Sequence, residues 1–578
     1  MNIKKYIQTS ILIILLYAIV FSITGYTVNQ GFNPSDEGVV LSQSWRLLNH
    51  EVPHKEFISI RPVGSGLLHQ LDLILPFPIT PTSRIIAALE YILISILWVF
   101  IFLSAVKKYI PDNKQYLIYS TAIISTIILN LNNGPIFTWT TTDALLFDTI
   151  AFYFLMRFFE STFTNKAYYK YAIPAIFFAS CATLCRQSFA LPLVLLGIVI
   201  LLYNFQLKKI PFRILIGIIG STPLLLYFFY LWQQDALQLF INQMTGRTEL
   251  VDTGIITYSK SLAKYPWIII QIVGLLFIFF RKLILQNSNK ISSLINLYYF
   301  AITLATLWFT YHLFFGNYSN EYSFYFYWLL VVLLLHGIFI WRLNASILIA
   351  TGLTILIAWT SSISIGDNSP RPYFGGIAVA CWILIFMRLS NITFIQIHLR
   401  KAYSIIAIAT MLLFIISQLS MPKVNYRDWT STKLNYTLDD IFPEMGKTKV
   451  NDNTRKYFVE FKRIYALLNQ PKNHFTMVPN NAFIYSVMHS KNPLPLDWMQ
   501  HHEYIGAEEQ FMEMVTQDLQ ETEVYLFVDK IDSKLFYKGI IPFEPDLEFN
   551  HSYIPWLTSQ CEKLPIESDY FEIYKSRN

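Results

Sequence analysis

Apolar residues fall in long blocks through the first three-quarters of the chain, and then the pattern changes. Blocks lie near residues 8–27, 85–106, 115–131, 143–159, 172–185, 188–206, 211–231, 266–281, 294–314, 323–341, 345–364, 373–388 and 403–420. Blocks of this kind suit helices that cross a hydrocarbon core of roughly 30 Å. The pattern predicts an α-helical polytopic membrane protein of about thirteen transmembrane helices over residues 1–420. From Met421 onward the pattern is that of a water-facing fold. "NHFTMVP" and "EVYLFVD" read as short buried strands, while "NTRKYFVEFKRIYALLNQ" and "EEQFMEMVTQDLQ" read as amphipathic helices. Residues 421–578 are therefore expected to form an α/β domain with its own core.

Composition sharpens this reading. Of 578 residues, 54% are hydrophobic and 14% charged, against roughly 25% charged in a typical soluble domain. The first block follows Lys4 and Lys5 with no small-x-small cleavage site after it, so it reads as a retained anchor. Basic residues fall in alternate loops: Lys107, Lys108 and Lys114; Lys166 and Lys170; Lys208, Lys209 and Arg213; Arg281, Lys282 and Lys290; Arg342; Arg388, Arg400 and Lys401. The intervening "NNGPIFTWTTTD" and "FGNYSNEY" carry none. This bias predicts a cytoplasmic N-terminus. An odd number of spans then places the C-terminal domain outside, in a multi-pass protein of the plasma (inner) membrane. The net charge of +6 is spread over those loops, so no nucleic-acid partner is expected. Cys181, Cys185 and Cys381 lie in apolar blocks and Cys561 is alone in the tail, which gives no disulfide framework.

The first outer loop, 28–84, contains "NPSDEGVVLSQSWRLLNHEVPHKEFISIRPVGSG". Ser35 is expected to N-cap a helix beginning at Asp36. Leu41, Trp45 and Leu48 then share one face, as in a helix lying on a bilayer surface. On the bland reading, Asp36 and Glu37 merely complement the helix dipole. They have polar company on the same side, however: Lys55, Glu56 and Arg61; Asp143, with Asp148 deeper; Arg186 and Gln187; Glu321; and Asp367 with Arg371. Each has an ordinary alternative, such as snorkelling for Arg186 and Arg371, an N-cap for Asp143, a helix-to-helix hydrogen bond for Asp148 and a solvated loop for Glu321. His69 and Glu90, near the membrane surface, receive no role. Acids and cations gathered above a membrane suit chemistry on a lipid-linked anion. Arg and Lys bind its phosphate and stabilise the charge that grows there, while a carboxylate takes the proton from an attacking hydroxyl.

The "DEG" after the first span, followed by a helix and then "VPHKEF…RPVGSG", resembles the first outer loop of GT-C membrane glycosyltransferases. The nearest in pattern are protein O-mannosyltransferases and lipid A aminoarabinose transferases. "LLNHEVPHKEF" has Asn-His where a glycine is common, Glu56 stands where an aspartate is usual, and "RPVG" replaces "PPG". "CRQ" after a paired span is similar to a segment of many bacterial members. The resemblance implies inverting transfer of a sugar from a polyprenyl-phosphate donor to an extracytoplasmic lipid, glycan or protein acceptor. It implies that Asp36 is the general base, with Glu37 its neighbour in the acid pair and Asp143 a second acid. Lys55, Glu56, Arg61, Arg186, Gln187, Glu321 and Arg371 are the candidate substrate-binding residues. With no D-x-D in the outer loops, no metal cofactor is expected. A lipid-linked glycan flippase, or a polysaccharide polymerase or ligase, is the alternative.

Overall fold

The computed structural model describes residues 10–577 with breaks, the widest at 390–427 and 532–552. Shorter breaks fall between 11 and 23 and at 34–35, 111–114, 163–168, 204–206, 246–248, 286–288, 316–319, 342, 365–367 and 470–471. The expected span at 403–420, the boundary at 420/421, Ser35 and Asp367 lie outside the described residues, and the span at 8–27 is described only in part.

Among the described residues, four helices are long and apolar enough to cross a membrane: Ile79–Tyr109, Ser293–His312, Glu321–Ile340 and Ala345–Ser362. Two bent pairs raise the number to six. Leu207–Gly220 meets Thr222–Gln233 at 63°, and Gly254–Lys264 meets Pro266–Arg281 at 84°. A proline opens the second helix of each pair, where its missing N–H costs nothing but stops the first helix from running on. Other apolar blocks are helical too: Gln115–Asn133, Thr140–Thr162, Tyr169–Cys185, Ala190–Leu202 and Phe374–Leu389. Among the described residues, length and charge keep some of these helices below the measure of a full crossing. Tyr169–Cys185 has 17 residues and so spans roughly 25 Å, short of a full crossing. Thr140–Thr162 is long enough, but Asp143, Asp148, Arg157 and Glu160 dilute its apolar character. Tyr169–Cys185 buries Ala172, Ala175, Ala179 and Ala182 completely. Small side chains at this spacing let neighbouring helices approach closely.

The C-terminal part holds a four-stranded sheet in the order β3-β4-β6-β5, beside a short ribbon of β1 (Tyr436–Thr437) and β2 (Lys449–Val450). β3 (Phe475–Val478) is parallel to β4 (Tyr525–Asp529), which runs antiparallel to β6 (Phe571–Ser576); β6 pairs with β5 (Cys561–Lys563). The stretches read as strands and helices are strands and helices here. Period-2 alternation in β4 explains the layers. Tyr525 and Phe527 pack with Tyr457, Phe458 and Phe461 of the Asp452–Leu468 helix, while Leu526 and Val528 pack with Phe511, Val515 and Leu519 of the Glu508–Glu521 helix. The sheet lies between two helices.

The first loop departs from its expected form. Its helix is Val39–Leu48, preceded by Gly38 at φ 101°, so Asp36 and Glu37 lie in the turn before the helix and not in its first turn. A Cβ on Gly38 would come within 2.0 Å of Phe483 Cβ. Only glycine permits both that φ and that contact. Protein encloses the helix: Ser42, Ser44 and Arg46 are buried with Leu41, and Trp45 packs against His489 with the rings tilted at 60° and their centres 5.2 Å apart.

His54 anchors the same loop from another side. Its Nδ1–H donates to Gln243 Oε1 (2.7 Å), and its Nε2 accepts from the Tyr227 hydroxyl (2.8 Å). Burial lowers its pKa to about 4, against the opposing effect of the hydrogen bond it donates to Gln243. The unfolded chain, titrating near 6.5, takes up a proton first. This stabilising contribution is therefore complete above about pH 6.5 and is lost as pH falls toward 4. Between pH 7 and pH 5, thermal unfolding in detergent is expected to show the wild type losing about 2 kcal/mol more than His54→Asn. Asparagine tolerates the residue's left-handed backbone (φ 68°) and does not titrate. The same pH dependence in both proteins would contradict a buried neutral His54.

Candidate functional site

The helices meet the first loop and the C-terminal part at one end of the bundle, and side chains lock that end together. Arg186, at the break after Tyr169–Cys185, donates to the Thr141 hydroxyl (2.5 Å) at the start of Thr140–Thr162 and to the carbonyl of Ile363 after Ala345–Ser362. Gln187 donates to the Ile60 carbonyl (2.9 Å). Arg371 Nε donates to the Asn133 carbonyl (2.6 Å) at the end of Gln115–Asn133. Gly64 brings the loop so close that a Cβ would lie 2.6 Å from the Leu184 carbonyl carbon.

At this end a cluster of ionisable groups is sealed from solvent. His69 Nε2 lies 3.1 Å from Asp143 Oδ1, and its Nδ1 lies 3.0 Å from Asp72 Oδ2. Glu90, on the Ile79–Val106 helix, brings its carboxyl beside that of Asp143; ligand atoms of His69, Glu90 and Asp143 all lie within 4.8 Å of one another. Relative exposure is 0% for His69, Asp72 and Asp143 and 5% for Glu90. Burial by itself would lower the His69 pKa. The Asp143 carboxylate, with Asp72 behind, outweighs it and raises the pKa well above the ordinary value.

The acid pair divides in role. Glu37 is buried and clamped by Arg84, with Nε to Oε1 at 2.6 Å and Nη2 to Oε2 at 2.7 Å, while Arg84 also holds the Val28 and Gly31 carbonyls. Asp36 is half-buried beside it, its backbone N–H bound to Asn33 Oδ1 at 3.0 Å. The clamp fixes the Asp36 turn to the helix that carries Glu90, six residues beyond Arg84.

Asp143, Arg186, Gln187 and Arg371 thus share one end of the bundle with the Asp36–Glu37 turn. Arg61 points elsewhere, in a bidentate pair with Glu503 at 2.8 and 2.9 Å. Lys55 is exposed and donates to the Gln234 carbonyl (2.9 Å), and exposed Glu56 accepts from the backbone N–H of Val52 in its own loop. Glu321 stands half-buried in the first turn of Asn320–His336. Asp148 is fully buried, and neither carboxyl oxygen has a hydrogen-bond partner among the described residues. Sequence reasoning set aside His69 and Glu90 and did not single out Asp72. A lone Glu90 inside "AALEYILI" was the available signal, because a carboxyl in an apolar helix must face protein or a wet cavity.

No family model matches the chain, and no curated protein matches it. Among solved structures, the chain is similar to ArnT from Cupriavidus metallidurans in the apo state, with 9% identity, 98% of each chain covered and a TM-score of 0.39.

Proposed function

We propose that the chain is an integral membrane glycosyltransferase. It moves a sugar from a polyprenyl-phosphate donor to an acceptor hydroxyl on the extracytoplasmic side, with inversion and with Asp36 as general base. What supports the reading is a half-buried Asp36 at the same end of the bundle as Arg186 and Arg371, which donate there to Thr141 and to the Asn133 carbonyl. Asp143 is sealed in beside His69, whereas Asp36 retains the exposure that an incoming acceptor needs. In the transfer, the acceptor oxygen bonds to the anomeric carbon as the bond from that carbon to the phosphate oxygen breaks. The acceptor proton passes to Asp36, and the electron pair leaves with the phosphate. Arg186 and Arg371 stabilise the charge growing on that phosphate. Phosphate is a stable leaving anion, so one base and cations suffice, without a metal in the step.

The test uses protein reconstituted in lipid with a panel of polyprenyl-phosphate sugars and a membrane extract as the acceptor source. Release of free polyprenyl phosphate is the expected result. The two bent helix pairs favour one rival, a lipid-linked glycan transporter, because broken helices are common where a substrate crosses. Movement of intact donor between leaflets without release would select that rival and overturn the transferase.

A further inference from the structure

We propose that His69, Glu90 and Asp143 bind a divalent cation of the zinc or manganese class, which ties the first loop to two helices of the bundle. The proposal does not depend on the transferase reading, since the ion holds this end together and takes no part in the transfer.

The donors come from three separate segments: a short loop helix region, the Ile79–Val106 helix and the start of Thr140–Thr162. An imidazole nitrogen and two carboxylates form a donor set that both zinc and manganese accept. Metal bonds of about 2.0–2.2 Å place neighbouring ligand atoms roughly 3–3.5 Å apart. His69 Nε2 and Asp143 Oδ1 already stand at 3.1 Å, and the whole set lies within 4.8 Å. Closing Glu90 onto an ion needs a side-chain adjustment on the order of 1 Å.

Two further observations point to a ligand. Glu90 Oε2 and Asp143 Oδ2 are buried and have no hydrogen-bond partner among the described residues. Unpaired carboxylate oxygens in a sealed site are costly unless something positive meets them. Among the described residues, the only ion-pair partner of Asp72 and Asp143 is His69, and no Lys or Arg pairs with Glu90. The carboxylates therefore outnumber the positive charge available to them. Second, Asp72 faces His69 Nδ1 at 3.0 Å. This is the carboxylate–histidine arrangement that orients a metal-binding imidazole and strengthens its other nitrogen as a donor.

The test is direct. The full chain, purified without chelator, is incubated with Zn²⁺ or Mn²⁺, freed of excess ion by gel filtration and analysed for bound metal by mass spectrometry. The expected result is about one ion per chain for at least one of the metals, with retention lost in Glu90→Gln. Asp72→Asn, which leaves all three ligands in place, is expected to weaken binding by about tenfold to a hundredfold. It serves as the second variant if Glu90→Gln does not fold. Bound Zn²⁺ or Mn²⁺ is also expected to raise the thermal unfolding midpoint of the wild type more than that of Asp72→Asn. Less than about a tenth of an ion per wild-type chain with either metal would overturn the site and leave a carboxyl pair neutralised by protons. Equal binding by wild type and both variants would place the ion elsewhere and equally overturn it.

Discussion

Asp36→Asn is expected to reduce release of polyprenyl phosphate by about a hundredfold or more, the usual scale for losing a positioned base. Asparagine has nearly the same shape and cannot take a proton. The fold should tolerate it, because the turn is held by other groups: the Asp36 backbone N–H on Asn33 and the Glu37–Arg84 clamp. Donor affinity and the thermal unfolding midpoint should therefore stay close to wild type while turnover collapses. That separation distinguishes a base from a structural residue. Glu37→Gln makes the contrasting control. It removes one charge from a buried pair and leaves Arg84 uncompensated, so its loss should appear first in stability. Wild-type turnover in Asp36→Asn would return Asp36 to a turn residue and remove the assigned base from the proposed mechanism.

Much of the fold was legible because its causes are local. The unbroken apolar run in "EVYLFVD" calls for a strand buried on both faces, and Phe527 and Val528 lie on opposite, buried faces of β4. The break at Arg186 was legible too, since a guanidinium and Gln187 interrupt an apolar run between two helices. The helix of the first loop was misread at its start and on its faces. Leu41, Trp45 and Leu48 define a stripe that a bilayer or a protein surface could equally cover, and periodicity does not say which. What decides it is Phe483 against Gly38, a contact across more than four hundred residues. The buried cluster failed for the same reason. His69 and Asp72 are three apart, but Glu90 and Asp143 come from separate helices, and their meeting is a fact of packing. An apolar block shows where a helix lies buried in lipid or protein, but its length and charge decide whether that helix alone meets the measure of a full crossing, as four to six do among the described residues.

The second large effect follows from a partner equally remote in the chain. Arg46 is 2% exposed. It donates from Nε to both Asp497 oxygens at 2.9 and 3.0 Å, from Nη1 to Glu51 at 2.7 Å and from Nη2 to the Leu494 carbonyl, with its guanidinium 5.5 Å from the centre of the Phe57 ring. Lys491 closes the network on the other Glu51 oxygen at 2.8 Å. Arg46→Met keeps most of the volume and removes the charge, leaving Asp497 buried without its cation and Glu51 with Lys491 alone. Breaking a buried pair from one side costs about 3–5 kcal/mol, because the stranded charge stays desolvated. Much of that cost falls on the contact between the first loop and the C-terminal part. Limited proteolysis of Arg46→Met is therefore expected to cut the C-terminal part away faster than in wild type, with a lower thermal unfolding midpoint. Adding Asp497→Asn removes the stranded charge and should recover part of the loss, a coupling that a double-mutant cycle reads directly. A loss below about 1 kcal/mol in the single variant would mean that water reaches Asp497 and the network is not sealed. Because the Arg46 helix directly follows the Asp36 turn, a loosened network should also lower turnover. That fall should shrink as Asp497→Asn restores the docking, whereas the loss in Asp36→Asn should not respond to it.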